Sequence, residues 1–194
     1  MKRIADSGSS VSHCPFKYAK FGIAMETFDR YLAGGVNVSL GTDSFPMDMV
    51  NEMRTASLVN RIAERDYLAG SYRDVFNAAT LGGARALGRD DLGRLSAGAK
   101  ADLLVVDLAK IDYGAVFDPV KAFIEYGSGR DIDTVIIDGK TVVEGGRFLG
   151  VDEAELLAKV QDEAEKIWGK IPEWDVKGRK AEEVSPWAFP VRKP

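Results

Sequence analysis

VNVSLGTDS, residues 36–44, ends an apolar run on an acidic side chain. Val36, Val38 and Leu40 place an apolar group at every second position, with Gly34-Gly35 before them and Gly41 after. That is the pattern of a short strand entered and left through turns. Asp43 then falls just beyond the strand's C-terminal end. In parallel α/β architectures the loops at that end surround the open mouth of the sheet, where catalytic and metal-binding side chains gather. A plainer reading competes with this one: Asp43 or Ser44 caps the helix that follows, because Asp and Ser are ordinary turn and N-cap residues.

Upstream, VSHCP (11–15) reads as a strand stopped by Pro15 and FKYAKFG (16–22) as a loop. Ile23, Phe28, Tyr31 and Leu32 then recur at helical spacing up to the Gly34-Gly35 stop. Strand, helix and strand with short links make a βαβ unit, which implies a parallel pair with a right-handed crossover. Downstream, Met49, Met53, Leu58 and Ile62 mark the expected buried stripe of a helix, leaving Asp48, Glu52 and Arg54 for its other face. The methionines read as core filler, since a soft-metal site needs cysteine or histidine company. A second helix over 73–88 carries Ala78, Ala79, Gly82, Gly83 and Ala84, small enough to admit a close neighbour, and stops at Gly88.

The character then turns to β. ADLLVVDL (101–108) is nearly continuous in apolar residues, and TVIIDGKTVVEGG (134–146) is two β-branched runs joined at Asp138-Gly139, a type I′ hairpin signature. Between them a short helix is expected around Val120–Tyr126, ended by Gly127 and Gly129. Residues 151–171 predict an amphipathic helix with Leu156, Leu157, Val160, Ala164, Ile167 and Trp168 on one face. Beyond Pro172 the chain reads as a tail whose Trp187 and Phe189 suit docking on this chain or a neighbour. The expected division is 1–92, 93–150 and 151–194.

Composition removes several function classes. The chain has 194 residues, 45% hydrophobic and 29% charged, an ordinary globular mixture. The net charge of -4, with no basic cluster, argues against nucleic acid as a partner. No run approaches the roughly 18 apolar residues of a membrane helix. One cysteine, Cys14, and an N-terminus without a secretory h-region make a reducing, cytoplasmic setting the expectation. The single histidine, His13, excludes a site built from several imidazoles of this chain alone, and no nucleophile elbow supports a Ser-His-Asp triad.

The order VSHCP, GVNVSLGTDS, MVNEMRTA, NAATLGGARALG, GRLSAGAKADLLVVDL, TVIIDGKTVVEGGRF resembles the C-terminal half of the metal-dependent amidohydrolase superfamily. The likeness is to its branch of cytosine, guanine and methylthioadenosine deaminases and triazine hydrolases. It runs from about residue 9 to about residue 168, with GTD and the G-x-L-x-x-G-x-x-A-D-L string its most specific parts. The resemblance implies an α/β fold: the last two strands and helices of a (β/α)8 barrel, strands of a small β-sandwich, and a C-terminal helix. It implies that Asp43 ligates a divalent metal ion, zinc before iron, and helps to deprotonate the metal-bound water. Such a metal lowers the pKa of bound water, and an adjacent carboxylate can relay the proton to a leaving group. It places His13 on the seventh strand as a substrate contact, with a structural role as the alternative, and Cys14 in the core. The family's histidine ligands belong to segments that precede this region.

The activity implied is hydrolysis of a carbon–nitrogen bond in a substituted heterocycle, a small-molecule substrate. A closed barrel takes about 250 residues, so completion by an N-terminal segment or a homo-oligomer is expected, with inactivity of this chain alone. A non-catalytic scaffold or assembly subunit derived from the same fold is the competing expectation.

Overall fold

The alternation in residues 36–40 does produce a strand. In the computed structural model, which describes residues 1–24, 27–43 and 45–189, a short helix α1 (Lys2–Asp6) leads into β1 (Ser10–His13). Next come α2 (Pro15–Lys20), α3 (Phe28–Ala33) and β2 (Asn37–Leu40). β1 and β2 pair in parallel, Val11 beside Val38 and His13 beside Leu40. Gly35 at φ +74 turns the chain out of α3, a left-handed conformation that glycine adopts without a Cβ penalty.

Two local expectations change here. Residues 15–20 are helical rather than loop, because Pro15 takes the first helical position, where its fixed φ suits the helix and its missing N–H costs nothing. The helix before β2 begins at Phe28, and Ile23 lies outside it and exposed. Met25 and Glu26 of that stretch lie outside the described residues.

Helix α4 (Met49–Glu64) is capped by Asp48, whose carboxylate accepts from the amides of Val50 at 2.9 Å and Asn51 at 3.2 Å. Asp43 does not do that work, and Ser44 lies outside the described residues. The buried face of α4 is Val50, Glu52, Met53, Ala56, Ser57 and Asn60, while Leu58 and Ile62 are exposed. The buried face is rotated from the expected apolar stripe, because small Ala56 and Ser57 let the helix approach its neighbours.

Helices α5 (Tyr72–Asn77) and α6 (Gly83–Ala86) are one element with a π-helical turn, Ala78–Gly82, set between them. A Cβ at Gly82 would stand 2.1 Å from the carbonyl oxygen of Val38. The Gly41 amide donates to the His13 carbonyl at 3.0 Å, so alternation along the strand turns the backbone groups of Val38 and Leu40 away from β1. Gly82 thus covers the open edge of β2, a common way of protecting such an edge. The expectation of a closely approached small-residue helix holds at this position.

β3 (Leu103–Val106) follows, then α7 (Pro119–Tyr126), β4 (Ile132–Ile137), β5 (Lys140–Glu144) and β6 (Arg147–Phe148), giving an antiparallel sheet in the order β3-β4-β5-β6. Asp138 and Gly139 both have positive φ, as the type I′ turn requires. The conspicuous ADL of the sequence has a structural use: Asp102 accepts the Asp138 amide at 2.7 Å and Lys100 reaches the Asp138 carboxylate at 2.8 Å. These four strands form a sheet distinct from the β1-β2 pair.

Phe28, Val38, Leu40, Val50, Met53, Ala56, Val75, Ala78, Phe123 and Ile124 form a single core, joining β2 to α3, α4, α5 and α7. Fully burying one large apolar side chain contributes about 1.5–3 kcal/mol. Arg54 ties α4 to the end of α7, donating through Nε to the Ile124 carbonyl at 2.9 Å and through its guanidinium to that of Gly127. This unit ends at Arg147.

A second unit starts at Phe148. Its helix α8 (Glu153–Trp174) is capped by Asp152 and carries Glu153 and Glu155 in its first turn, where the helix dipole favours them. It runs through Pro172, which forfeits one bond to the carbonyl a turn back, and the helix ends two residues later. No residue of α8 is buried. A final turn, α9 (Ala181–Val184), precedes Trp187, whose ring lies 6.0 Å from that of Trp168, so the tail docks on its own helix.

Candidate active site

The parallel pair separates its residues by face. Val11, His13, Val38 and Leu40 share one side, and the last two belong to the core beneath the helices. The opposite side carries Ser10, Ser12, Asn37, Ser39 and Gly41, all small or polar, with Asn37 Nδ2 donating to Ser10 Oγ at 2.9 Å and to the Gly82 carbonyl at 3.1 Å. A Cβ on Gly41 would meet Ser12 Oγ at 2.9 Å and Cys14 Sγ at 3.3 Å, so glycine is required where the two strands end.

Asp43 stands three residues past the end of β2, in a left-handed conformation with φ 46. Aspartate is one of the few non-glycine residues that tolerates this region. The turn holds it at the C-terminal rim of the pair, half exposed, with Lys17 Nζ paired to its Oδ2. That pairing holds the Lys17 ammonium above its usual pKa. Lys20, also on α2, donates to the Phe45 carbonyl at 3.1 Å. Sequence reasoning missed both lysines, because residues 16–22 carry no periodic signal that would place them over the rim.

His13 is only 8% exposed, beside Leu40 in register and 6.3 Å from the ring of Phe28. Burial lowers its pKa. It stands on the helix-packed side of the pair, with its ring tilted towards that of Phe28. Cys14 is not in the core as expected: it is half-buried at the start of α2, on the side of Ser12. Burial raises its thiol pKa, and the charges of Asp43 and Glu52 add to that.

Glu52 is fully buried. Its Oε2 accepts the Phe16 amide at 3.1 Å, and Oε1 has no hydrogen-bond partner among the described residues. Burial raises its pKa, the charge of Asp48 adds to the rise, and the Phe16 amide opposes it. Leaving a buried acceptor unmet costs about 1–3 kcal/mol, so some other requirement maintains a carboxyl there.

The rim therefore offers a carboxylate that can bind a cation or take a proton. Among the described residues no cluster of three or more His, Cys, Asp and Glu side chains could hold a metal ion. Asp43 can be one ligand, and the described residues do not complete a set around it.

The sequence matches the amidohydrolase family over residues 1–142. The chain belongs to that family. It is 35% identical over 163 residues to a 5-methylthioadenosine/S-adenosylhomocysteine deaminase of Pyrococcus abyssi, covering 82% of this chain and 38% of that one. It is 33% identical over 172 residues to a 5'-deoxyadenosine deaminase of Methanosarcina mazei, covering 87% of this chain and 40% of that one. Among solved structures, an adenosine deaminase from Xanthomonas campestris with bound zinc superposes with a TM-score of 0.80 at 30% identity, covering 84% of this chain and 38% of its own. An atrazine chlorohydrolase from Arthrobacter aurescens complexed with zinc gives 0.71 at 27% identity, covering 81% and 36%. The chain thus spans about two-fifths of the length of the amidohydrolases it matches. No described helix is long and apolar enough to cross a membrane.

Proposed function

We propose that this chain is the C-terminal portion of a hydrolase that cleaves an exocyclic carbon–nitrogen bond of a nucleoside-like heterocycle, releasing ammonia. The substrate class rests on the deaminase relatives, which share about a third of their aligned residues with the chain. The observation that carries the reading is Asp43 on its left-handed turn at the C-terminal rim of a parallel pair. A carboxylate there can take a proton from an attacking water and return it to the departing amine. A divalent cation, zinc before iron, belongs to the proposal as a group whose other ligands come from beyond the described residues. His13 enters it as a supporting residue behind the rim.

The test is the release of ammonia from 5'-modified adenosines by protein in which the fold is complete. Asp43→Asn is expected to lower kcat by about 100-fold or more, with an unchanged circular dichroism spectrum. Unchanged turnover removes the reading.

The second reading, a non-catalytic assembly subunit, is favoured by the ion pair in which Lys17 occupies Asp43. Metal analysis separates the two. Stoichiometric zinc retained by the purified 194-residue chain contradicts the scaffold.

A further inference from the structure

Glu52 is the buried ionisable group that the proposed chemistry leaves unused. It sits on the core face of α4 between Val50 and Met53, where an apolar side chain would pack without penalty. One oxygen is free of partners among the described residues, so the carboxyl is retained for the contact made by the other, the 3.1 Å bond from the Phe16 amide. Phe16 is the second residue of α2, directly before Lys17. From α2, Lys17 holds the Asp43 carboxylate and Lys20 holds the Phe45 carbonyl, one grip on each side of position 44. A chain of polar links therefore runs from the core of α4, through the start of α2, to the rim.

We propose that Glu52 is a positioning residue: it pins the first turn of α2 so that Lys17 and Lys20 clamp the rim segment and fix where Asp43 stands. The inference rests on the reading of Asp43 as the acting carboxylate. Helix α2 has six residues, too few to hold itself in place, and its first-turn amides need acceptors that its own backbone cannot supply. A simple cap would satisfy that need and end there. The clamp adds a consequence at a distance, which makes the two distinguishable.

The experiment is amide NMR of the labelled 194-residue chain. Glu52→Leu is expected to shift the Phe16 amide together with those of Thr42, Asp43 and Phe45, leaving the β4–β5 hairpin unmoved. Glu52→Gln keeps an oxygen acceptor and is expected to restore the wild-type positions, which a general loss of stability would not do. Lys17→Met is expected to shift the rim amides alone. If Glu52→Leu fails to fold, Glu52→Asp, which keeps the charge and shortens the reach, is expected to shift the same rim amides. A shift confined to Phe16, or a Gln variant as perturbed as the Leu variant, overturns the proposal. These spectra need no turnover, so an active Asp43→Asn enzyme would remove the hydrolase reading and leave the clamp standing, and an unmoved rim would do the reverse.

Discussion

Strand β2 reads NVSL and strand β3 reads LLVV, so β3 is the more apolar of the two, yet β2 is the more buried. Val38 and Leu40 of β2 lie in the core, whereas Leu104 and Val105 of β3 are about half exposed, as is Ile137 at the end of β4. The difference lies in what the chain supplies around each strand. β2 is followed and preceded by helices that fold back over it, and Gly82 closes its outer edge. The antiparallel sheet has strand neighbours, but among the described residues Leu104 and Val105, on its opposite faces, stay about half exposed. Apolar content describes what a strand could bury; burial depends on which partners the sequence brings to it.

Core truncation tests that contrast most strongly. Phe28→Ala, at a side chain with no exposed surface, is expected to cost about 3–5 kcal/mol in urea unfolding. Leu104→Ala is expected to stay within about 0.5 kcal/mol, as exposed substitutions do. A Leu104→Ala cost equal to that of Phe28→Ala would mean that a further layer covers the antiparallel sheet in solution, and the contrast between the sheets would vanish.

Two glycines sharpen the same comparison at a smaller scale. Gly82→Ala drives a Cβ into the Val38 carbonyl and is expected to cost about 1–3 kcal/mol through overpacking, with the shift in denaturation midpoint as the measure. Gly139, in the hairpin turn, has nothing within 4 Å of its would-be Cβ and meets only the strain of φ +77. Gly139→Ala is therefore expected to cost roughly 1–2 kcal/mol. If it proves the costlier change, contact at the edge of β2 is not what makes Gly82 necessary.

The features legible in sequence were those carried by neighbours along the chain. The alternation around Val38, the Asp138-Gly139 turn, the stop at Gly34-Gly35 and the position of Asp43 past a strand all follow from local rules. Features set by distant residues were not legible. The helix of residues 15–20 brings two lysines to the rim across the chain from Asp43 and Phe45, and the buried face of α4 turns towards Ala56 and Ser57. Glu52 sat on the supposed outer face, because its use depends on an amide 36 residues away. His13 stands in register with Leu40, a pairing that no local rule in the sequence sets.

The smallest expected effect concerns His13, the single histidine of the chain. Its imidazole is buried against Phe28, and burial lowers its pKa below 6.5. In the interval beneath 6.5 the unfolded chain then binds the proton more readily than the folded one, so stability is complete above 6.5 and falls as the pH drops through that interval. Glu52 works in the opposite direction, since a raised carboxyl pKa weakens the fold as the pH rises above 4.5. The two can be separated by difference: His13→Gln is expected to remove the fall beneath 6.5 and leave the Glu52 contribution untouched, as measured by urea midpoints across the range. Hydrogen exchange should locate the effect in β1 and β2, while the β4–β5 hairpin keeps its rates. A fall of the same size in His13→Gln would place its origin elsewhere.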